Sequence, residues 1–376
     1  MSARPSQAGY SRKSKLNNLP TAPSVLGQQP PPSLCNLEIH GRHTIGTMGA
    51  RMAKMKIGIA FGSGVARGWA HIGVIKGLMK AGYNPDIISG TSIGALVGGS
   101  FAAGKLSELE DFALSFHGRK LINFMDLRLG GAGLIGGKRF TKLMDEHLGD
   151  TKIEDLDHTF VAVATELATG HEAWLRKGSM VEAISASYAL PGLFEPVRHE
   201  GRWLIDGALV NPIPVSVCRA LGARLVIAVN LNTDAVGKSN HHDGHMIETL
   251  YSEEHDSGWR KRLVDTGRTE RAIARQFFGK KKESPGIVNV MMGSLNIMQD
   301  RLSRSRLATD PADVLIAPHV GHISLIDFDK APDLIAQGEA AAAHALPFIE
   351  DALTRLNGHD DPADELESDE TQPLAI

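Results

Sequence analysis

Short apolar runs alternate with stretches of helical period from Lys56 to about Leu353. Lys56-Ile57-Gly58-Ile59-Ala60-Phe61 reads as a first buried strand, followed by a helix through about Ala81. Ile87-Ile88, after Asn84-Pro85, opens a second strand, and small apolar residues from Ala95 to about Phe116 predict one long helix. Phe140, Leu143, Met144 and Leu148 share a face of a helix over Lys138–Leu148. Thr159–Thr165 and His171–Arg176 predict strands, Ser179–Tyr188 a short helix, and Trp203–Asp206 a strand end. Pro214–Leu221 reads as helix, Arg224–Asn230 and Val314–Ile316 as strands, and Pro332–Leu353 as a last helix. Ser284-Pro285 has the chemistry of a helix start, with Met291, Leu295, Met298 and Leu302 expected on the face that packs on the sheet. Apolar strands alternating with helices predict an α/β fold around a mostly parallel sheet.

Outside this pattern the chain changes character. Residues 1–52 mix Ser, Asn, Gln and Pro with Arg4, Arg12, Lys13, Lys15, Arg42 and Arg51, and read as a basic disordered tail. Residues 53–356 read as one domain, with core motifs in 56–230 and a polar, variable insertion at about 233–284. The glycine-rich stretch ending at Gly136-Gly137 reads as a surface loop and candidate lid. Residues 357–376 carry Asp360, Asp361, Asp364, Glu365, Glu367, Asp369 and Glu370 and read as an acidic disordered tail.

Composition narrows the class. The 376 residues are 42% hydrophobic and carry a net charge of -3, so no basic field points to nucleic acid. Cys35 and Cys218 make neither a disulfide framework nor a C-x-x-C pattern. No apolar run is long enough to span a bilayer, and the N-terminus lacks the apolar core of a signal peptide. The expected location is therefore the cytoplasm. His241, His242 and His245 cluster in the insertion without a legible carboxylate frame, and a solvated cluster outweighs a metal site there.

The second strand runs into Gly90-Thr91-Ser92-Ile93-Gly94, which fits G-x-S-x-G. Between a strand and a helix, Gly90 and Gly94 let the backbone close tightly and expose the serine oxygen at a helix start, where negative charge is favoured. The plain alternative is a serine that only caps the helix. The first strand runs into Gly62-Ser63-Gly64-Val65-Ala66-Arg67-Gly68. This loop has neither the Gly-Lys-Ser/Thr ending of a nucleotide phosphate loop nor an acid at the end of the next strand, as dinucleotide binding requires. An oxyanion hole and a tight turn remain. In a parallel βαβ unit this loop and Ser92 share one sheet edge. Asp206, ahead of Gly207-Ala208, sits at an apolar strand end; it either caps a turn or serves as a base near that edge. His319 and His322 offer a formal triad with Ser92 and Asp206, and direct proton transfer from Ser92 to Asp206 is the alternative. Ala189–Pro196 is too apolar for an ordinary exposed loop and reads as core or as the wall of an acyl-chain pocket.

Gly62–Gly68, then Gly90–Gly94, then Asp206-Gly207-Ala208 together resemble the patatin-like phospholipases, in the bacterial branch related to neuropathy target esterase. The resemblance covers roughly Lys56 to Asn230. Asn296–Gln299 and Val320-Gly321-His322 are similar to that branch as well. It implies a three-layer α/β/α fold and a serine hydrolase acting on carboxylic esters of phospholipids or lysophospholipids. Ser92 would be the nucleophile and Asp206 its partner, with Gly90 and Gly94 shaping the elbow. Gly62, Gly64, Val65, Ala66, Arg67 and Gly68 would form the oxyanion hole, with Gly207 and Ala208 following the acid. No metal or cofactor is implied. The substrate would come from a membrane or micelle surface, with peripheral contact at the inner membrane. The alternative is a lipid-sensing regulator or scaffold on the same fold.

Overall fold

The computed structural model describes residues 55–115, 138–233, 287–325 and 327–358. The candidate lid, the histidine cluster, the Ser284-Pro285 helix start, and all but the edges of the tails and the insertion lie outside these residues.

The strands are β1 (Ile57–Phe61), β2 (Ile87–Thr91), β3 (Thr159–Glu166), β4 (Glu172–Leu175), β5 (Val197–His199), β6 (Arg202–Asp206), β7 (Leu225–Val229) and β8 (Val314–Ile316). The helices are α1 (Ala70–Lys80), α2 (Ile93–Ala102), α3 (Leu106–Leu114), α4 (Lys138–Leu148), α5 (Met180–Ser187), α6 (Val215–Ala220), α7 (Ile287–Thr309) and α8 (Ala331–Gly358). Strands β3, β2, β1, β7 and β8 lie side by side in that order, all parallel. β4 and β6 pair antiparallel with β3, and β5 pairs antiparallel with β6.

Alternation along the strands sorts the core into two unequal faces. Ile59 and Phe61 of β1, with Leu225, Ile227 and Val229 of β7, face the larger cluster, which takes in α1, α2 and α8. Ala60, Val226 and Ala228 face the other side, against Ile213, Val215 and Cys218 around α6, with Leu307 of α7 beside them. Helices on both faces of a mostly parallel sheet give the expected three layers. Cys218 is a buried free thiol pushed up to about 12 by desolvation, so it acts as a small core residue.

Three features depart from the sequence reading. The helix expected from Ala95 to Phe116 is two helices: α2 ends at Ala102, and the chain turns at Gly104 with φ 69 before α3. On α7 the inward face is rotated from the expected one. Met298 is 51% exposed, whereas Gln299, Asp300 and Ser303 are buried. Met291 and Leu295 do pack inward, against Leu190, Leu193 and Leu325. The short strand β5 was not foreseen. It forms a hairpin with β6 through Glu200 and Gly201, whose φ values of 47 and 81 suit a tight two-residue turn.

The register of β3 explains how two distant segments meet. β4 occupies one edge of β3 from Ala162 to Thr165, overlapping the pairings of both β2 and β6. A strand has two edges, so β2 and β6 share the other. β2 ends with Thr91 opposite Val163, and β6, running the opposite way, ends with Asp206 opposite Ala164. The two strands thus meet end to end, and the residue after Thr91 is brought to Asp206.

Candidate active site

That residue is Ser92. Its Oγ donates to Asp206 Oδ2 at 2.7 Å. Ser92 is the N-cap of α2 at φ 59, ψ -124, and its side chain makes no capping bond. The plain capping role is therefore not the one it fills. A non-glycine residue with positive φ stores backbone strain that its surroundings must hold in place. Here the Ser92 amide donates to Ser187 Oγ at 2.9 Å, and Ser187 Oγ donates to the Val163 carbonyl at 2.6 Å. The flanking glycines are required by close approach. A Cβ at Gly90 would strike the Gly94 carbonyl and Ala95 backbone, and one at Gly94 would strike the carbonyls of Phe61 and Gly62.

Asp206 is fully buried. Each of its oxygens has one partner: Oδ1 accepts the Ala208 amide at 2.8 Å, the turn-capping bond expected from sequence, and Oδ2 accepts Ser92. Burial pushes its carboxyl up to about 7, against the smaller opposing effects of those two donors. The strand end is fixed by Thr165 Oγ1, which donates to the Asp206 carbonyl at 2.8 Å. Thr91 Oγ1 donates to the Asn211 carbonyl at 2.8 Å, tying β2 to the loop after Asp206. His319 and His322 are both exposed, while both carboxylate oxygens of Asp206 are engaged by Ser92 and Ala208, so the formal triad does not assemble.

The glycine-rich loop wraps the elbow from the side. Gly68 lies so close to Ile93 that any side chain would overlap it, and the Gly62 carbonyl lies against Gly94. Within the loop the amides fall into two groups. Those of Gly62, Ser63, Ala66 and Arg67 donate to the carbonyls of Val229, Pro212, Leu325 and Gly64 at 3.0, 2.9, 3.1 and 3.1 Å. Those of Gly64 and Val65 have no acceptor among the described residues. Of the residues expected to form an oxyanion hole, Gly64 and Val65 are thus the ones whose amides remain open among the described residues. Val65 holds φ 50, unusual for a β-branched residue. Arg67 also departs from the expected role: its guanidinium donates to the carbonyls of Ile323 at 2.7 Å and Gly321 at 3.1 Å, clamping the segment that follows β8.

Sequence reasoning missed Ser187, Thr91 and Thr165, whose hydroxyls tie down the backbone around Ser92 and Asp206. Small hydroxyl residues in apolar segments carry no signal of such a task. Among the described residues, no group of three His, Cys, Asp or Glu is arranged to hold a metal ion, and no helix is long and apolar enough to cross a membrane.

A serine on a strained strand-to-helix turn, bonded to a buried carboxylate on a mostly parallel sheet, is the arrangement that the three motifs anticipated. A family model described as patatin-like phospholipase matches residues 59–219. An uncharacterized NTE family protein of Mycobacterium bovis is 32% identical over 332 residues, which cover 78% of this chain and 92% of that one. The chain belongs to the patatin-like phospholipase family. Within the family it is similar to the NTE proteins. Lysophospholipase nte1 of Emericella nidulans is 32% identical over 187 residues, covering 49% of this chain and 12% of that much longer one. The crystal structure of VipD from Legionella pneumophila aligns with a TM-score of 0.42 at 14% identity, over 82% of this chain and 67% of that one.

Proposed function

We propose that the protein is a serine lipid acyl hydrolase that cleaves carboxylic ester bonds of phospholipids or lysophospholipids. The observation that carries this reading is the 2.7 Å bond from Ser92 Oγ to Asp206 Oδ2. Ser92 Oγ attacks the ester carbonyl and its proton passes to Asp206. The carbonyl oxygen takes up negative charge beside the Gly64 and Val65 amides, which have no acceptor among the described residues and so are open to it. Asp206 returns the proton to the leaving alcohol. Water then attacks the acyl-enzyme by the same path in reverse, releasing the fatty acid and restoring Ser92. The lysophospholipase relative supports a lipid ester as substrate.

The test is hydrolysis of a short p-nitrophenyl ester and of phospholipid and lysophospholipid vesicles, with Ser92→Ala beside the wild type. Serine-dependent fatty-acid release and fluorophosphonate labelling of Ser92 are expected. Cleavage of the short ester alone would overturn the lipid assignment. Absence of both cleavage and labelling would favour a lipid-sensing role.

The carboxyl value near neutrality sets the pH dependence. Asp206 accepts a proton only as the carboxylate, so kcat/KM is expected to fall below about pH 7 and to level off above it. A profile flat from pH 5 to 8 would show that the carboxyl does not titrate near 7 in the working enzyme, and loss of activity in Asp206→Asn would then carry the assignment of the base alone.

A candidate lipid-contact surface lies on the hairpin that leads to Asp206. The Leu167 amide donates to the Trp203 carbonyl at 2.8 Å, just past the last β3–β6 pair, Glu166 with Leu204. Trp203 lies three residues before Asp206 on β6, roughly 10 Å along the strand, and the alternation of side chains turns it to the opposite face of the sheet. Trp203 and Leu167 are 51% and 52% exposed, and the Arg198 guanidinium lies 5.9 Å from the Trp203 ring centre. An amphipathic ring beside a cation suits a lipid–water interface. Trp203→Ala is expected to lower hydrolysis of anionic vesicles several-fold while leaving the short soluble ester unaffected. Equal effects on both substrates would refute a docking role.

A further inference from the structure

His71 is fully buried at the start of α1 and has no part in the chemistry above. Its Nε2 lies 2.7 Å from the Gly62 carbonyl, which can only accept, so Nε2 carries the proton. Nδ1 is buried with no partner among the described residues, and the ring meets Phe61 edge-on at 5.1 Å. A second proton would be buried on Nδ1 without an acceptor. Desolvation accordingly lowers the imidazole to about 4, and it stays a neutral donor through the working range.

The Gly62 carbonyl opens the loop that carries the two unpartnered amides. The peptide plane joining Gly62 to Ser63 is gripped at both ends: its carbonyl by His71, and its N–H by the Pro212 carbonyl at 2.9 Å. Ser63 Oγ donates to Gln299 Oε1 of α7 at 3.2 Å. On the far side, the Gly64 carbonyl accepts the Arg67 amide and the Ala66 amide reaches the Leu325 carbonyl. The Val65 amide thus shares a restrained plane with the Gly64 carbonyl, and the Gly64 amide lies in the plane between that one and the plane of Gly62 and Ser63. Without the imidazole, the Gly62 carbonyl would be a buried acceptor with an unmet bond, pressed against Gly94. Rotation of the planes that follow is the available relief, and it would carry the two amides off their aim.

We propose that His71 is a positioning residue for ester hydrolysis: its Nε2–H bond to the Gly62 carbonyl fixes the loop so that the Gly64 and Val65 amides meet the oxygen of the carbonyl attacked by Ser92. This rests on the hydrolase reading. The bond needs a neutral donor at the Nε2 position, which the amide of glutamine reaches and that of asparagine does not.

The experiment compares full-length wild type with His71→Leu, His71→Asn and His71→Gln, each counted by fluorophosphonate titration of competent sites. The readouts are kcat and KM for a short p-nitrophenyl ester, and Ki for a trifluoromethyl ketone with the same acyl chain, whose serine adduct places an anion where the ester oxygen develops charge. His71→Leu and His71→Asn are expected to lower kcat per site roughly 10- to 100-fold with little change in KM, and to raise Ki by the same ratio. His71→Gln should recover most of both. Unchanged kcat per site in the two disruptive variants, or a glutamine variant as impaired as they are, would overturn the proposal. So would a Ki that does not follow kcat/KM.

Hydrogen exchange of the segment holding Gly64 and Val65, in a Ser92→Ala background, gives a readout without catalysis. It should quicken in the Leu and Asn variants and not in Gln, and unchanged exchange overturns the proposal. Should the wild type cleave no ester at all, the hydrolase reading falls and the exchange result alone decides whether His71 holds the loop. If Leu does not fold, Asn carries the comparison.

Discussion

Asp206→Asn is expected to abolish ester hydrolysis and, at the same time, to make the protein more stable above neutral pH. Asparagine has the shape of aspartate and keeps both contacts: its oxygen can accept the Ala208 amide, and its amide can donate to Ser92 Oγ. It cannot take a proton from the serine, so the rate should fall at least about 10³-fold, as when a base is removed from a site whose other parts survive. The stability change follows from the carboxyl. Folding moves it from 3.8 to about 7, so between those values the native state binds more protons than the unfolded chain. The protonated group's contribution to stability is fully present below pH 4 and is lost as pH rises through about 7. A shift of about 3 units corresponds to about 4 kcal/mol at most, and asparagine is exempt from that loss. Melting temperatures of the two proteins should coincide near pH 4 and separate by several degrees at pH 8, with the variant higher. A variant that melts lower at every pH would show that the carboxylate serves the fold.

Local geometry was legible in the sequence and long-range geometry was not, for physical reasons. Gly90, Gly94 and Gly68 are written into the chain because backbone atoms or Ile93 occupy the space a side chain would need. Such positions admit one residue type and can be read without a structure. The meeting of Ser92 with Asp206 depends on β2 and β6 ending against the same edge of β3, a matter of register that no local pattern encodes. The division of labour among the loop amides was hidden for the same reason. Their acceptors come from Val229, Pro212, Leu325 and Gly64, three of them far along the chain. On α7 the apolar periodicity misled because the inward face changes character along the helix. It begins with Met291 and Leu295 over an apolar cluster, continues through Gln299 on Ser63, and reaches Arg306, whose guanidinium donates to the Val210 carbonyl at 2.8 Å. A helix that crosses from an apolar wall to a polar loop cannot be placed by hydrophobicity alone.

Replacing Ser92 should separate its chemical role from its structural cost. Both Ser92→Ala and Ser92→Gly are expected to lose hydrolysis by at least about 10³-fold, since neither supplies a nucleophile. Their stabilities should differ in the order opposite to the usual one. Alanine keeps a Cβ at φ 59, ψ -124, and the strain of holding a side chain there is of order 1–3 kcal/mol. Glycine removes that strain and costs roughly 0.5–1 kcal/mol in unfolded-chain entropy, so it should be the more stable variant by about 1 kcal/mol. Both variants leave Asp206 Oδ2 without its donor, which cancels in the comparison. Denaturant unfolding of the two proteins at one pH measures the difference. If alanine proved the more stable, the elbow would hold no strain, and the tight turn would owe its form to Gly90 and Gly94 alone. The expected order would instead mean that the fold sustains an unfavourable backbone at one residue, the one whose oxygen faces the carboxylate.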